Sequence, residues 1–135
     1  MKFIINIKIK MIDKYNNIPK FKFKNDHTEE ERKNESSRIL REYPNRVPII
    51  CEAAPRSVLP PLKKTKYLVP YDMTINQFHF LIRRSIDLTS ESALYLITNG
   101  ISLSGSKTMG EVYNNLRDKT DNFLYVFCAS EITMG

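Results

Sequence analysis

The 135 residues contain no Trp, four Gly, two Cys and two His, and each scarcity removes a class of protein. Two Cys without Cys-x-x-Cys spacing neither staple a disulfide miniprotein nor build a four-thiolate zinc site. The two histidines, His27 and His79, belong to no HExxH motif, and neither a GxSxG elbow nor a glycine-rich phosphate loop occurs. The chain therefore reads as a non-enzyme with no metal site and no cofactor of its own. Long hydrophobic runs are also missing, since no stretch of about 18 apolar residues exists that could span a bilayer. The opening MKFIINIKIK mixes Lys and Asn into its apolar residues and lacks a small-residue cleavage site, which argues against a secretory signal and for the cytoplasm. What is present, 41% apolar and 27% charged residues, suffices for one core in one compact domain.

The net charge of +6 sits at one end of the chain. Residues 1–24 hold seven Lys against one Asp, while residues 25–135 balance 14 basic with 14 acidic side chains. A basic folded face, the footprint of nucleic-acid binding, is not indicated, so no nucleic acid is expected as a partner. The Lys/Ile/Asn-rich residues 1–24 form an N-terminal extension, in which Phe3, Ile5, Ile7, Ile9 and Met11 alternate with mostly polar residues as in a strand. The domain occupies residues 25–135. Within it, residues 32–66 carry nine basic and three acidic side chains, a local patch suited to acidic partners.

Thr28 followed by Glu31 is a capping box that opens a polar helix ending at Pro44. Residues 46–53 read as a strand with Val47, Ile49 and Cys51 on one face and Pro48 and Ile50 on the other. A proline-rich connection leads to a short strand over 66–70, closed by Pro70. Thr74 and Gln77 form a second capping box, before a helix with Ile75, Phe78, Leu81, Ile82 and Ile86 at helical spacing. Strands follow at 94–98 and 101–103, joined by the Asn99-Gly100 turn. Thr108 with Glu111 reads as a third box ahead of a helix, and 123–129 is the last strand. His79 falls on the solvent flank of its helix, and Cys51 and Cys128 are expected as buried free thiols. This order predicts an α+β roll whose mixed sheet cradles the 75–86 helix on one face. On the other face Ile50, Leu68, Phe123 and Phe127 are exposed unless the polar N-terminal helix covers them. Apolar pockets beside an edge strand suit an extended peptide.

Several segments carry a resemblance: Arg41-Glu42-Tyr43-Pro44-Asn45-Arg46-Val47-Pro48, Lys66-Tyr67-Leu68-Val69-Pro70, Gln77-Phe78 with Leu81-Ile82-Arg83, Thr108-Met109-Gly110 with Tyr113, Phe123-Leu124-Tyr125, and Gly135. In order and spacing, residues 27–135 resemble the ubiquitin-like autophagy modifier family that includes GABARAP. The resemblance implies a ubiquitin-like β-grasp with two extra N-terminal helices. It also implies a Gly135 joined covalently to phosphatidylethanolamine by activating and conjugating enzymes, so that the protein moves from the cytoplasm to the autophagosome membrane. It further implies a groove for the aromatic-x-x-aliphatic motifs of cargo receptors. By resemblance, Glu35, Ile39, Pro48, Ile50, Lys66, Leu68 and Phe123 form the aromatic pocket. Tyr67, Val69, Pro70, Met73, Phe78 and Leu81 form the aliphatic one, and Lys64, Lys66 and Arg46 contact acidic flanks. Thr28-Glu29 replaces the family's Pro-Phe, which removes an apolar anchor for the first extra helix, and Met134 replaces an aromatic residue. The alternative from another class is a peptide- or nucleic-acid-binding module that is never conjugated.

Overall fold

A computed structural model describes residues 21–89 and 91–130; the 3–11 alternation, Met134 and Gly135 lie outside the described residues. Helices α1 (Lys22–Asp26) and α2 (Glu29–Glu42) precede strands β1 (Arg46–Ala53) and β2 (Lys66–Pro70). Helix α3 (Ile75–Ser85), strands β3 (Tyr95–Thr98) and β4 (Ile101–Leu103), helix α4 (Met109–Leu116) and strand β5 (Leu124–Ala129) follow. The five strands form one mixed sheet in the order β2-β1-β5-β3-β4. Among the described residues only the central β1–β5 pair is parallel, with Ile49 opposite Leu124 and Ala53 opposite Cys128.

Local signals set the boundaries. Thr28 accepts from the Glu31 N–H while the Glu31 carboxylate takes the Thr28 N–H, closing the expected box at the start of α2. Thr74 and Gln77 do the same for α3. At α4 only half of the expected box forms: Thr108 accepts from the Glu111 N–H, but the Glu111 carboxylate does not return a bond to the Thr108 N–H. Asn99 and Gly100 both adopt positive φ, 52° and 76°, as the tight β3–β4 hairpin requires.

The sheet has an apolar layer on each face. On one, α3 and α4 bury Phe78, Ile82, Met109 and Val112 against Val47, Ile49, Leu124 and Val126. On the other, Ile39 of α2 packs with Phe21 and Phe23 over Ile50, Phe123, Tyr125 and Phe127. Helices α1 and α2 are the two extra N-terminal helices that the resemblance implies, and α1 begins inside the segment expected as an extension. Phe21 stacks on Phe127 with ring centres 4.0 Å apart, and Phe23 meets Phe123 edge-on at 5.2 Å. The packed unit therefore reaches back at least to Phe21, ahead of the 24/25 boundary. These two aromatics anchor α1 on β5. Cys51 and Cys128 are free and buried as expected. His79 departs from its expected solvent position: its Nε2 lies 2.8 Å from the Leu94 carbonyl oxygen, tying α3 to the segment before β3.

Candidate peptide-binding edge

Strand β2 lies at one border of the sheet, and a proline in its neighbour decides what that border offers. Antiparallel ladders alternate bonded and non-bonded pairs, and Pro48, opposite Leu68, has no N–H to donate. Bonded pairs must therefore fall on the other parity, in agreement with the Cys51 N–H donating to the Thr65 carbonyl at 2.7 Å. The N–H and C=O of Lys66 and Leu68 consequently face away from β1. Arg46 takes advantage of this, donating from Nη1 to the outward Leu68 carbonyl at 3.1 Å. An incoming strand would meet this row of donors and acceptors and displace the Arg46 side chain from the Leu68 carbonyl.

Side chains alternate across the same strand, so an apolar patch flanks each side of the open edge. On the α2 side lie Leu68, Pro48, Ile50, Ile39 and Phe123, with Ile50 and Phe123 at 0% and 1% exposure forming the floor. Glu35 and Lys66 close this patch by an ion pair at 2.5 Å, and the Lys66 ammonium stands 5.5 Å from the centre of the Phe23 ring. On the α3 side lie Tyr67 and Val69, buried against Phe78, with Tyr67 and Phe78 edge-on at 5.8 Å. Met73 is half-buried there and Leu81 is 37% exposed, whereas the half-buried Pro70, in register with Leu68 and Lys66, belongs by alternation to the other face. Apart from Pro70, the two residue sets that the resemblance assigns to two pockets thus fall on opposite faces of β2.

The basic residues are engaged. Lys63 pairs with Asp87 at 3.0 Å, Lys64 stands over the Tyr67 ring at 4.9 Å, and Lys66 holds Glu35. Acids of the fold thereby partly neutralise the basic patch of residues 32–66. Among the described residues no His/Cys/Asp/Glu cluster could hold a metal ion. No helix among them is long and apolar enough to cross a membrane.

Phe23 is the wall residue the sequence reading missed; the available signal was Phe21 and Phe23 alternating with Lys22 and Lys24 directly before a capping box. Its helix is held by polar groups as well. The Glu52 carboxylate accepts the N–H groups of Lys22 and Phe23 at 2.7 and 2.8 Å, and Lys24 pairs with Asp118. Next to it Asp121, wholly buried, accepts from Arg32 and from the Tyr125 hydroxyl, fastening α2 to β5. Burial first, and then the Asp121 carboxylate, push the Tyr125 phenol well above its ordinary range.

With this geometry in hand, two comparisons bear on the chain. The family profile described as "Autophagy protein Atg8 ubiquitin like" matches residues 31–135. The crystal structure of Trypanosoma brucei ATG8 superimposes with a TM-score of 0.80 at 36% sequence identity, covering 87% of this chain and 100% of that one.

Proposed function

Because the chain belongs to the Atg8 family of ubiquitin-like autophagy proteins, we propose that it is a conjugated tag and adaptor carrying cargo receptors to a membrane. The observation that carries the adaptor half is the β2 edge, unpaired among the described residues, with an apolar patch on either face. A strand added there extends the sheet, and its alternate side chains enter the two patches, anchoring an aromatic-x-x-aliphatic motif. Lys64, Lys66 and Arg46 then attract acidic residues flanking the motif. The family match runs through residue 135, which supports Gly135 as the conjugated residue.

In the proposed reaction the Gly135 carboxylate attacks the α-phosphorus of ATP and releases pyrophosphate. An enzyme thiol displaces AMP to form a thioester. The amine of phosphatidylethanolamine then forms the amide and expels the thiol. The chemistry belongs to the activating and conjugating enzymes, and the chain contributes a carboxyl group without a side chain to obstruct it. Two acyl chains suffice for stable anchoring, so conjugation moves the protein from the cytoplasm to the autophagosome membrane.

Incubating the chain with both enzymes, ATP and liposomes should yield a floating adduct with the mass of one lipid, and deleting Gly135 should abolish it. A soluble wild type with active enzymes would refute conjugation. For the edge, Leu68→Ala and Leu81→Ala should each weaken an acidic aromatic-x-x-aliphatic peptide about tenfold or more in calorimetry. Unchanged affinity in both variants would remove the groove.

A further inference from the structure

The two apolar patches lie on opposite faces of β2, and this fixes the spacing of whatever binds there. In an extended segment, residues an even number apart point to the same face, so anchors for both patches must be an odd number apart. Adjacent residues stand only about 3.3 Å apart, whereas a separation of three spans about 10 Å and clears the strand. Residues 1–20 contain one aromatic residue followed by an aliphatic one at that separation, Tyr15-Asn16-Asn17-Ile18. The other stretches of this form, at 78–81, 113–116 and 123–126, are used by α3, α4 and β5. Around Tyr15 the chemistry also suits the edge. Asp13, two residues earlier and hence on the same side as Tyr15, would meet Lys66, and Pro19 after Ile18 lacks the N–H needed to continue pairing.

We propose that Tyr15–Ile18 of one molecule docks on the β2 edge of a second copy, a conclusion that rests on the groove reading above. A molecule cannot satisfy its own edge. Ile18 is three residues from Phe21, a reach of at most about 11 Å. Phe21 stacks on Phe127, which lies opposite Glu52, on the face covered by α2. The patch for Ile18 lies on the other face beside Val69, which is opposite Val47. β1 stands between β5, beneath Phe21, and β2, so two strand spacings, about 10 Å, add to the crossing of the sheet, and the path exceeds that reach. The arrangement makes self-association and cargo binding competitors for one edge.

Sedimentation of the full chain over a range of concentrations tests this, alongside Y15A/I18A, whose substitutions lie outside the described residues. Wild type should shift from monomer to larger species with concentration, while Y15A/I18A shifts only at concentrations about tenfold higher or more. A synthetic peptide of residues 11–20 should bind the Y15A/I18A protein and lose that binding when Leu68→Ala is added. Identical sedimentation of the two proteins overturns the proposal. So does a wild type that stays monomeric while binding the peptide more weakly than Y15A/I18A, the mark of occupancy within one chain. An acidic aromatic-x-x-aliphatic peptide of unrelated sequence separates the two levels. If it binds Y15A/I18A while the 11–20 peptide does not, self-docking fails and the groove stands; if neither binds, the groove itself fails.

Discussion

At residue scale, one glycine governs the junction between β2 and α4. Gly110 sits in the first turn of α4 and donates its N–H to the Tyr71 carbonyl at 2.9 Å. A Cβ built on Gly110 would overlap the Tyr71 ring, whose hydroxyl accepts from Asn114. Gly110→Ala should therefore cost about 1–3 kcal/mol by overpacking, and most of that should vanish in a Tyr71→Ala background. Denaturant titration of the four proteins gives the coupling; additive losses would show that the ring does not oppose the methyl group. Asp118 supplies a pH test. Burial alone raises its carboxyl, but Lys24 and the hydroxyl and N–H of Thr120 outweigh burial and hold it at about 2, below the ordinary 3.8. A depressed folded value stabilises the fold above the ordinary value, and that contribution fades as pH falls from 3.8 towards 2. Lys24→Met should flatten the acid loss of urea midpoint in that window, and superimposable profiles would exclude the pairing.

At the scale of elements, α1 is the one that the resemblance implied and no capping signal marks. Strands β1 and β2 were legible to the residue because Pro44 and Pro70 punctuate them and their apolar residues alternate; α2 and α3 were legible through their capping boxes. Helix α1 has five residues and no side-chain cap of its own. Its partners Glu52 and Asp118 lie 30 and 94 positions from Lys22 and Lys24, beyond any local pattern. The site divides in the same way. Alternation in β1 and β2 already separated Ile50 and Leu68 from Tyr67 and Val69, whereas Phe23 becomes a wall residue only through tertiary packing. Phe23→Ala should cost about 3 kcal/mol, the ordinary loss for a buried phenylalanine. A chain beginning at residue 25 should lose more, since Phe21 and both Glu52 bonds go as well. Thermal melts that leave the shortened chain as stable as the full one would restore the 24/25 boundary.

For the whole molecule, the buried thiols report how cooperatively the two faces hold together. Cys51 and Cys128 lie on the central strands at 0% exposure, and burial pushes the Cys51 thiol well above its ordinary range. An aromatic disulfide reagent should label both at one slow rate that rises with denaturant in step with global unfolding. Fast labelling of either would reveal an opening that leaves the rest folded. The strand order carries a further consequence, for the chain as it is made. Until β5 emerges, β1 with β2 and β3 with β4 are two unconnected hairpins, and β5, last in sequence, is the piece that fits between them. A nascent chain of this protein thus holds two open apolar edges through most of its synthesis, exposed to chaperones and to other chains. The sheet closes in one late step, so a ribosome that stalls before residue 124 releases two hairpins and no domain.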